Sequence, residues 1–301
     1  MTNRGVKLDY EVKNNHIVIK NNIGFNLKDT LECGQCFRFE VLSDYEYLVI
    51  AFGKLLRIKD ADGEVTFFDT TPEDFENIWI PYFDFARDYD SVKSALKKKD
   101  DFLKTAVEYA PGIKILNQDF FECLISFIIS QNNQIPNIKR VIANLSEAYS
   151  YPLGTVNGKT YYAFPTADAL LNAGIDGLMK CKTGFRAKYI TDACKKFISG
   201  EISLEKISKM DTPSAKELLM SIKGVGPKVS DCVLLFSLGR REVFPTDVWV
   251  RRVMSELYFS GNPVKINEIQ DFAKSGFGPL AGFAQQYLFY YARTLKIGAK
   301  K

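Results

Sequence analysis

A single histidine, His16, stands among 301 residues. That one count excludes any zinc site built on paired imidazoles and leaves a serine–histidine–aspartate hydrolase only His16 to work with. Catalysis, if present, must use Lys, Asp, Glu, Cys or Tyr. Lys228 follows Gly224-Val225-Gly226-Pro227. A proline after a glycine turn marks the first position of a helix, which puts the lysine at the second. The positive end of the helix dipole disfavours an ammonium there, and together with any burial it favours the neutral amine, a nucleophile able to form a Schiff base. A solvent-facing lysine without a role is the alternative. Asp247 opens the next helix, Thr246-Asp247-Val248-Trp249, where a carboxylate serves either as an N-cap or as an electrostatic partner for chemistry at the lysine.

These two residues need a scaffold, and its outline is periodic. Apolar runs before and after the glycines make the segment 218–236 a helix, a hairpin and a helix. Gly224 and Gly226 allow positive φ and close approach of another backbone, and the amides around Val225 with the second helix N-terminus can point at a phosphate. Such contacts read nucleic-acid backbone, not bases. An ordinary tight helix–helix turn would use the same residues. Helical spacing also predicts helices over 119–130, 135–149, 166–173, 185–199, 214–222, 227–238, 248–258, 266–272 and 283–296.

Residues 6–70 differ. They read as strands over 6–12, 16–20, 36–41, 45–51, 55–59 and 64–68, broken by Asn14-Asn15, Asn21-Asn22 and Asp62-Gly63, for which an antiparallel sheet is the simplest arrangement. The charged stretch 84–98 reads as a solvated helix or connection. The expectation is an α+β chain: an N-terminal antiparallel β-sheet domain, 1–100, followed by an all-helical region, 101–301, that contains the helix-hairpin-helix.

Composition narrows the class. At 46% hydrophobic residues the chain can build a sizeable core. Its longest apolar stretch, 123–129, is far too short to span a bilayer, and residues 1–5 lead into no signal-peptide core, so a cytoplasmic protein with no membrane partner is expected. The six cysteines lack the dense spacing of a secreted scaffold, and Cys33-x-x-Cys36 lacks the βαβ context of a redox motif. Net charge is +4, concentrated in residues 201–301, which hold 15 Lys/Arg against 10 Asp/Glu. That asymmetry is compatible with a polyanionic partner but too weak to establish one, and on charge alone an ordinary solvated surface is the better account.

Taken together, the hairpin, Lys228, the loop Gly239-Arg240-Arg241-Glu242-Val243-Phe244-Pro245 and the segment Pro245-Thr246-Asp247-Val248 resemble the helix-hairpin-helix, Gly/Pro-rich and aspartate motif of base-excision DNA glycosylases. The endonuclease III and adenine-mismatch branches usually carry a four-cysteine iron–sulfur motif after these helices, and this chain has no cysteine after Cys232. The alkylpurine branch generally lacks the lysine. Lysine plus aspartate without a cluster resembles the 8-oxoguanine DNA glycosylase/AP lyase branch, and other stretches extend that resemblance over most of the chain.

The resemblance implies a role for each matching residue. Gly34, in Leu31-Glu32-Cys33-Gly34-Gln35-Cys36-Phe37-Arg38, matches the glycine whose carbonyl accepts the N7 hydrogen of 8-oxoguanine, a test that guanine fails because its N7 is a bare acceptor. Cys232 and Phe289 match the walls that sandwich the extruded base, and Gln285 the reader of its Watson–Crick edge. Asn132 matches the residue that fills the gap left by that base. Phe185 and Arg186 match the intercalating aromatic and an arginine on the orphaned cytosine. The chain also departs from the pattern: Asn137 stands where a second arginine is common, Phe185 where tyrosine is, and Trp249 where histidine is.

The implied activity is flipping 8-oxoguanine out of double-stranded DNA, displacing it through a Lys228 Schiff base assisted by Asp247, and nicking the strand by β-elimination. Asn137 implies a relaxed preference for the base opposite. No cofactor is required, a monovalent cation on hairpin carbonyls is a family possibility, and a prokaryotic, monomeric, DNA-associated protein is expected. An alkylpurine glycosylase and a noncatalytic helix-hairpin-helix DNA-binding protein are the rival readings.

Overall fold

The computed structural model describes residues 8–20 and 24–297. Strands β1 (Tyr10–Lys13), β2 (His16–Lys20), β3 (Phe39–Ser43), β4 (Glu46–Ala51), β5 (Lys54–Ala61) and β6 (Glu64–Phe68) form one antiparallel sheet in the order β1-β2-β6-β5-β4-β3. Its turns explain the register. Asn14-Asn15 (φ 48° and 65°), Phe52-Gly53 (50° and 70°) and Asp62-Gly63 (57° and 77°) are pairs of left-handed residues, the geometry that a two-residue hairpin needs to match right-twisted strands. β1 starts later than expected. Val6 and Lys7 of the expected strand, and the Asn21-Asn22 break, lie outside the described residues.

One face of the sheet carries Ile17, Ile19, Val49, Leu56, Ile58 and Phe67 into a core shared with Phe75, Trp79 and Phe83. At about 1.5–3 kcal/mol for each large side chain taken from water, this cluster holds the N-terminal half together. β4 is buried on both faces. Its Leu48 and Ile50 pack with Tyr161, which belongs to a second, two-stranded sheet of β7 (Pro152–Val156) and β8 (Lys159–Tyr162). This hairpin corrects the all-helical reading of 101–301. Its turn, Asn157-Gly158 with φ 50° and 77°, is itself a strong hairpin signal, and the cover it gives Leu48 and Ile50 is the physical reason for a sheet there.

Helix α1 (Leu27–Glu32) interrupts the region read as strands alone. Asn26 caps it, accepting from the amide of Asp29 at 2.8 Å, and Leu27 and Leu31 enter the sheet core. Next come α2 (Pro72–Asp74), a π turn over Phe75–Trp79, α3 (Ile80–Tyr82), α4 (Tyr89–Lys97) and α5 (Asp101–Tyr109). The remaining helices are α6 (Phe120–Ser130), α7 (Ile135–Tyr149), α8 (Ala167–Lys180), α9 (Ala187–Ile198), α10 (Leu204–Ser208), α11 (Thr212–Met220), α12 (Pro227–Phe236), α13 (Val248–Tyr258), α14 (Ile266–Phe272) and α15 (Ala281–Thr294). α8 runs past its expected end at 173 because Gly174, at φ 65°, kinks the chain without stopping it.

Every residue of α6 except Ser130 is buried, as are Val229–Phe236 of α12. Helices apolar all round belong at the centre of a bundle, and these two pack on each other. A buried ion pair joins sheet and bundle: Arg38 Nη1 donates to Glu122 Oε2 at 3.0 Å, and Nη2 donates to the carbonyl of Tyr162. Removing either partner would strand a buried charge, a loss of about 3–5 kcal/mol.

Candidate active site

Lys228 stands at the second position of α12, as expected, but its amine answers to two helix ends. Nζ is 3.4 Å from Ser130 Oγ at the C-terminus of α6 and 4.9 Å from the Phe127 ring centroid. The positive end of α12 and the negative end of α6 therefore act on it in opposite senses. One turn on, Cys232 is buried. Burial pushes its thiol up to about 11, against the pull of Lys228, with Asp231 and Asp247 raising it further. Lysine and aspartate thus share electrostatic reach of one thiol. A thiol held neutral at physiological pH suits a pocket wall, not a nucleophile.

Asp247 is an N-cap. Its Oδ1 accepts from the amide of Val250 at 2.8 Å, while no hydrogen bond engages Oδ2 among the described residues. The capping and chemical readings are therefore compatible, one oxygen for each. Gln270 of α14 fixes the loop before it, donating to the carbonyl of Phe244 at 2.8 Å and to Thr246 Oγ1 at 2.9 Å.

Gly34 sits at φ +88° just after α1, and a Cβ there would come within 3.1 Å of the Phe289 ring. The turn is held from both sides. Gln35 is fully buried, donating to the carbonyls of Thr30 (2.7 Å) and Lys114 (2.8 Å) and accepting from the amide of Leu116 (2.9 Å). Gln286 Nε2 donates to the carbonyl of Cys33 at 2.9 Å. Gln285 and Phe289 lie one turn apart on α15, and Gln285 Oε1 is buried without a hydrogen-bond partner. Gly282 sets the approach of that helix to α12: a Cβ there would meet Leu235 Cδ1 at 2.4 Å and the carbonyl of Arg241 at 3.0 Å.

The remaining candidates form an outer face. Asn132 is exposed and adopts φ +47°, a conformation uncommon outside glycine, in the turn after α6. Phe185 is 55% exposed, enough for an aromatic wedge. It meets Tyr189 edge-on at 5.9 Å, and Tyr189 in turn lies against Gly224. Arg186 is buried. Its Nε and Nη2 donate to the carbonyl of Gln131, Nη2 also to that of Asn132 (3.1 Å) and Nη1 to that of Thr183 (3.3 Å). Asn137 donates to Asn133 Oδ1 at 2.7 Å and accepts from Arg140 at 2.6 Å. Trp249 carries the Arg252 guanidinium at 5.3 Å from its ring centroid.

The two hairpin glycines divide the work expected of both. Gly224 takes φ +77°, whereas Gly226 has φ −102°, which any residue adopts, and nothing within 4 Å of a Cβ. Only Gly224 uses the left-handed region. Gly226 supplies the open surface.

Sequence reasoning missed Tyr189, Gln270, Gly282, Gln286 and Arg293. For Arg293 a signal existed, since it continues the four-residue spacing of Gln285 and Phe289. A cavity of about 620 Å³ between β3, β4, α7 and β8 contains none of the candidate residues. Among the described residues, no cluster of three His, Cys, Asp or Glu side chains is placed to hold a metal, and no helix is long and apolar enough to cross a membrane.

Comparison with known proteins extends these observations. A family model described as 8-oxoguanine DNA glycosylase, N-terminal domain, matches residues 17–124, and one described as HhH-GPD superfamily base excision DNA repair protein matches residues 125–275. The chain is 31% identical to the probable N-glycosylase/DNA lyase of Methanothermobacter thermautotrophicus over 70% of this chain and 72% of that one. It is 28% identical to the N-glycosylase/DNA lyase OGG1 of Arabidopsis thaliana over 86% of this chain and 75% of that one. The fold matches the Clostridium acetobutylicum 8-oxoguanine glycosylase/lyase, solved with double-stranded DNA containing cytosine opposite to 8-oxoG, with a TM-score of 0.92 and 42% identity over 97% of this chain and 100% of that one.

Proposed function

The chain belongs to the HhH-GPD superfamily of base excision DNA repair proteins, on its 8-oxoguanine DNA glycosylase branch, and from that premise we propose how its residues divide the work. It is a bifunctional enzyme that excises 8-oxoguanine from duplex DNA and cleaves the strand as an AP lyase. Lys228 attacks C1′ and Asp247 supports the cationic sugar through its uncommitted oxygen. Cys232 and Phe289 enclose the base, Gln285 reads its Watson–Crick edge and Gly34 accepts from N7–H. Asn132 and Phe185 fill the vacated stack, while Gly224, Gly226 and Trp249 meet the DNA backbone. Val225, expected to offer its amide to a phosphate, is buried and donates that amide to the carbonyl of Ile222 at 3.0 Å, so it supports the hairpin instead. The approach of Gly34 to the Phe289 ring, on a chain whose Lys228 opens the helix that carries Cys232, is the observation that carries this reading.

Borohydride should trap wild-type protein on 8-oxoguanine duplex, and Lys228→Gln should lose both base release and trapping. Active wild type that forms no trapped complex would overturn the lysine assignment. Release of 3-methyladenine, or of neither base, would instead favour the alkylpurine or the noncatalytic reading.

Preference for the opposite base is relaxed in this reading. Reading a cytosine edge with two hydrogen bonds takes two free N–H groups, and all three nitrogens of Arg186 are already engaged, in four bonds to carbonyls. Asn137, tied to Asn133 and Arg140, supplies no second cation. The division after residue 100, a cation on hairpin carbonyls, and a cytoplasmic, prokaryotic monomer belong to the same proposal, and no catalytic step depends on them.

A further inference from the structure

Two buried polar atoms without a hydrogen-bond partner lie on one stripe of α15: Gln285 Oε1 and Arg293 Nη1. Phe289 stands between them, four residues from each, so all three share a face. At 1.5 Å per residue, Gln285 and Arg293 are about 12 Å apart along the axis. The guanidinium of Arg293 is held at one end, where Nη2 donates to the carbonyl of Glu32, and it lies 5.3 Å from the Phe289 ring centroid. Nη1 faces the turn, and a Cβ on Gly34 would come within 3.0 Å of it. The carbonyls of Glu32 and Cys33 are thus both engaged by α15, whereas that of Gly34 has no partner among the described residues. An unpaired buried donor is destabilised by its lost hydration, and more so when charged, a penalty that an acceptor on a bound base would remove.

We propose that Arg293 is a further base-binding residue, donating through Nη1 to O8 of the extruded 8-oxoguanine. The inference rests on the functional reading above. The long axis of the purine selects the oxygen: with the ring on Phe289 and its Watson–Crick edge toward Gln285, C8 and its oxygen point along the stripe toward Arg293, and N7–H faces Gly34. The lesion presents a donor beside an acceptor, and the protein an acceptor beside a donor. Guanine has no O8 and matches neither.

The contact strengthens as the reaction proceeds. Lys228 Nζ forms its bond to C1′ and sheds a proton to solvent. The C1′–N9 electron pair leaves with the base and is shared between N9 and O8 as an amidate, which then takes a proton from solvent. Arg293 therefore meets charge that develops in the transition state.

Single-turnover base release by the full-length protein tests this with Arg293→Met and Arg293→Lys. On 8-oxoguanine duplex, Arg293→Met should slow release by about 10²-fold, and Arg293→Lys should recover part of that loss. Strand cleavage at a preformed abasic site, which has no O8, should fall far less and reports intact folding. A duplex carrying 8-thioguanine, with the same N7–H but a poor acceptor at C8, separates direct contact from mere support of the Gly34 turn. Wild type should lose much of its rate on the thio base, whereas Arg293→Met should treat the two bases nearly alike. If oxo and thio bases differ by the same factor in wild type and Arg293→Met, or if both activities fall together in both variants, the inference is wrong. Wild type that leaves 8-oxoguanine in place would overturn the functional reading and this inference with it.

Discussion

The two glycines of the hairpin should respond in opposite ways to one added methyl group. At Gly224 a Cβ would sit 2.3–2.5 Å from three atoms of the Tyr189 ring. The ring cannot swing freely, because its edge packs on Phe185 and its helix, α9, is buried along one side. Gly224→Ala therefore carries about 1–2 kcal/mol for a left-handed alanine and about 1–3 kcal/mol for overpacking against the ring. The sum, about 2–5 kcal/mol, converts to a fall of roughly 3–8 °C in Tm for a chain of this size. Gly226→Ala meets no atom and no unusual φ, and it should shift Tm by less than about 2 °C, the cost of a poorer N-cap.

Binding should invert that order of subtlety. Measured on an uncleavable duplex with an abasic-site analogue, Gly226→Ala should lose affinity by about tenfold at unchanged stability, since its methyl would occupy the surface where a phosphate approaches the α12 N-terminus. Gly224→Ala should lose stability and affinity together. Equal Tm values for the two variants would refute the steric account, and wild-type affinity in Gly226→Ala would refute the assignment of its open face to DNA.

Three further outcomes are expected. Asn137→Arg should raise cytosine dependence in single-turnover excision by about tenfold or more, since one good bidentate reader discriminates by ~1–3 kcal/mol; unchanged ratios across the four opposite bases would show that this position does not read. All six cysteines are buried, and burial raises every thiol, Cys33 and Cys194 to about 12 and Cys232 to about 11. Iodoacetamide at pH 8 should accordingly label none within minutes unless denaturant is present, and rapid labelling of native protein would contradict the packing. Burial, then Lys93, pushes Lys114 down to about 8, so its charged form is penalised in the fold below pH 8, and that penalty disappears as pH rises from about 8 to the unfolded value near 10.4. The stability of Lys114→Met relative to wild type should therefore decline over that window in denaturant titrations, and a pH-independent difference would exclude the shift.

What the sequence made legible was local. Asn14-Asn15 and Asp62-Gly63 announce their hairpins because left-handed backbone restricts residue choice, and Gly224-Val225-Gly226-Pro227-Lys228 packs turn, helix start and nucleophile into adjacent positions. The β7–β8 hairpin carried the same kind of signal in Asn157-Gly158, but the need for it, cover for Leu48 and Ile50, exists only once the sheet is folded. α1 escaped detection because six residues are too few to show a period. Gly224 and Gly226 are indistinguishable as letters, and only the Tyr189 ring and the φ angles of the folded chain separate them.

Arg186 marks where residue identity ceases to predict role. Its position matches an arginine that contacts the orphaned base, yet its guanidinium is turned inward onto the carbonyls of Gln131, Asn132 and Thr183. Those bonds support the turn on which Asn132 holds φ +47°, a strain that persists only where the surroundings overdetermine it. Phe185, beside Arg186 with its ring 4.5 Å from the guanidinium carbon, shares that support. An arginine that spends its hydrogen bonds stiffening the wedge has few left for the base opposite, so the rigidity that helps hold a flipped nucleotide out of the stack and the discrimination of its partner compete for the same five N–H groups.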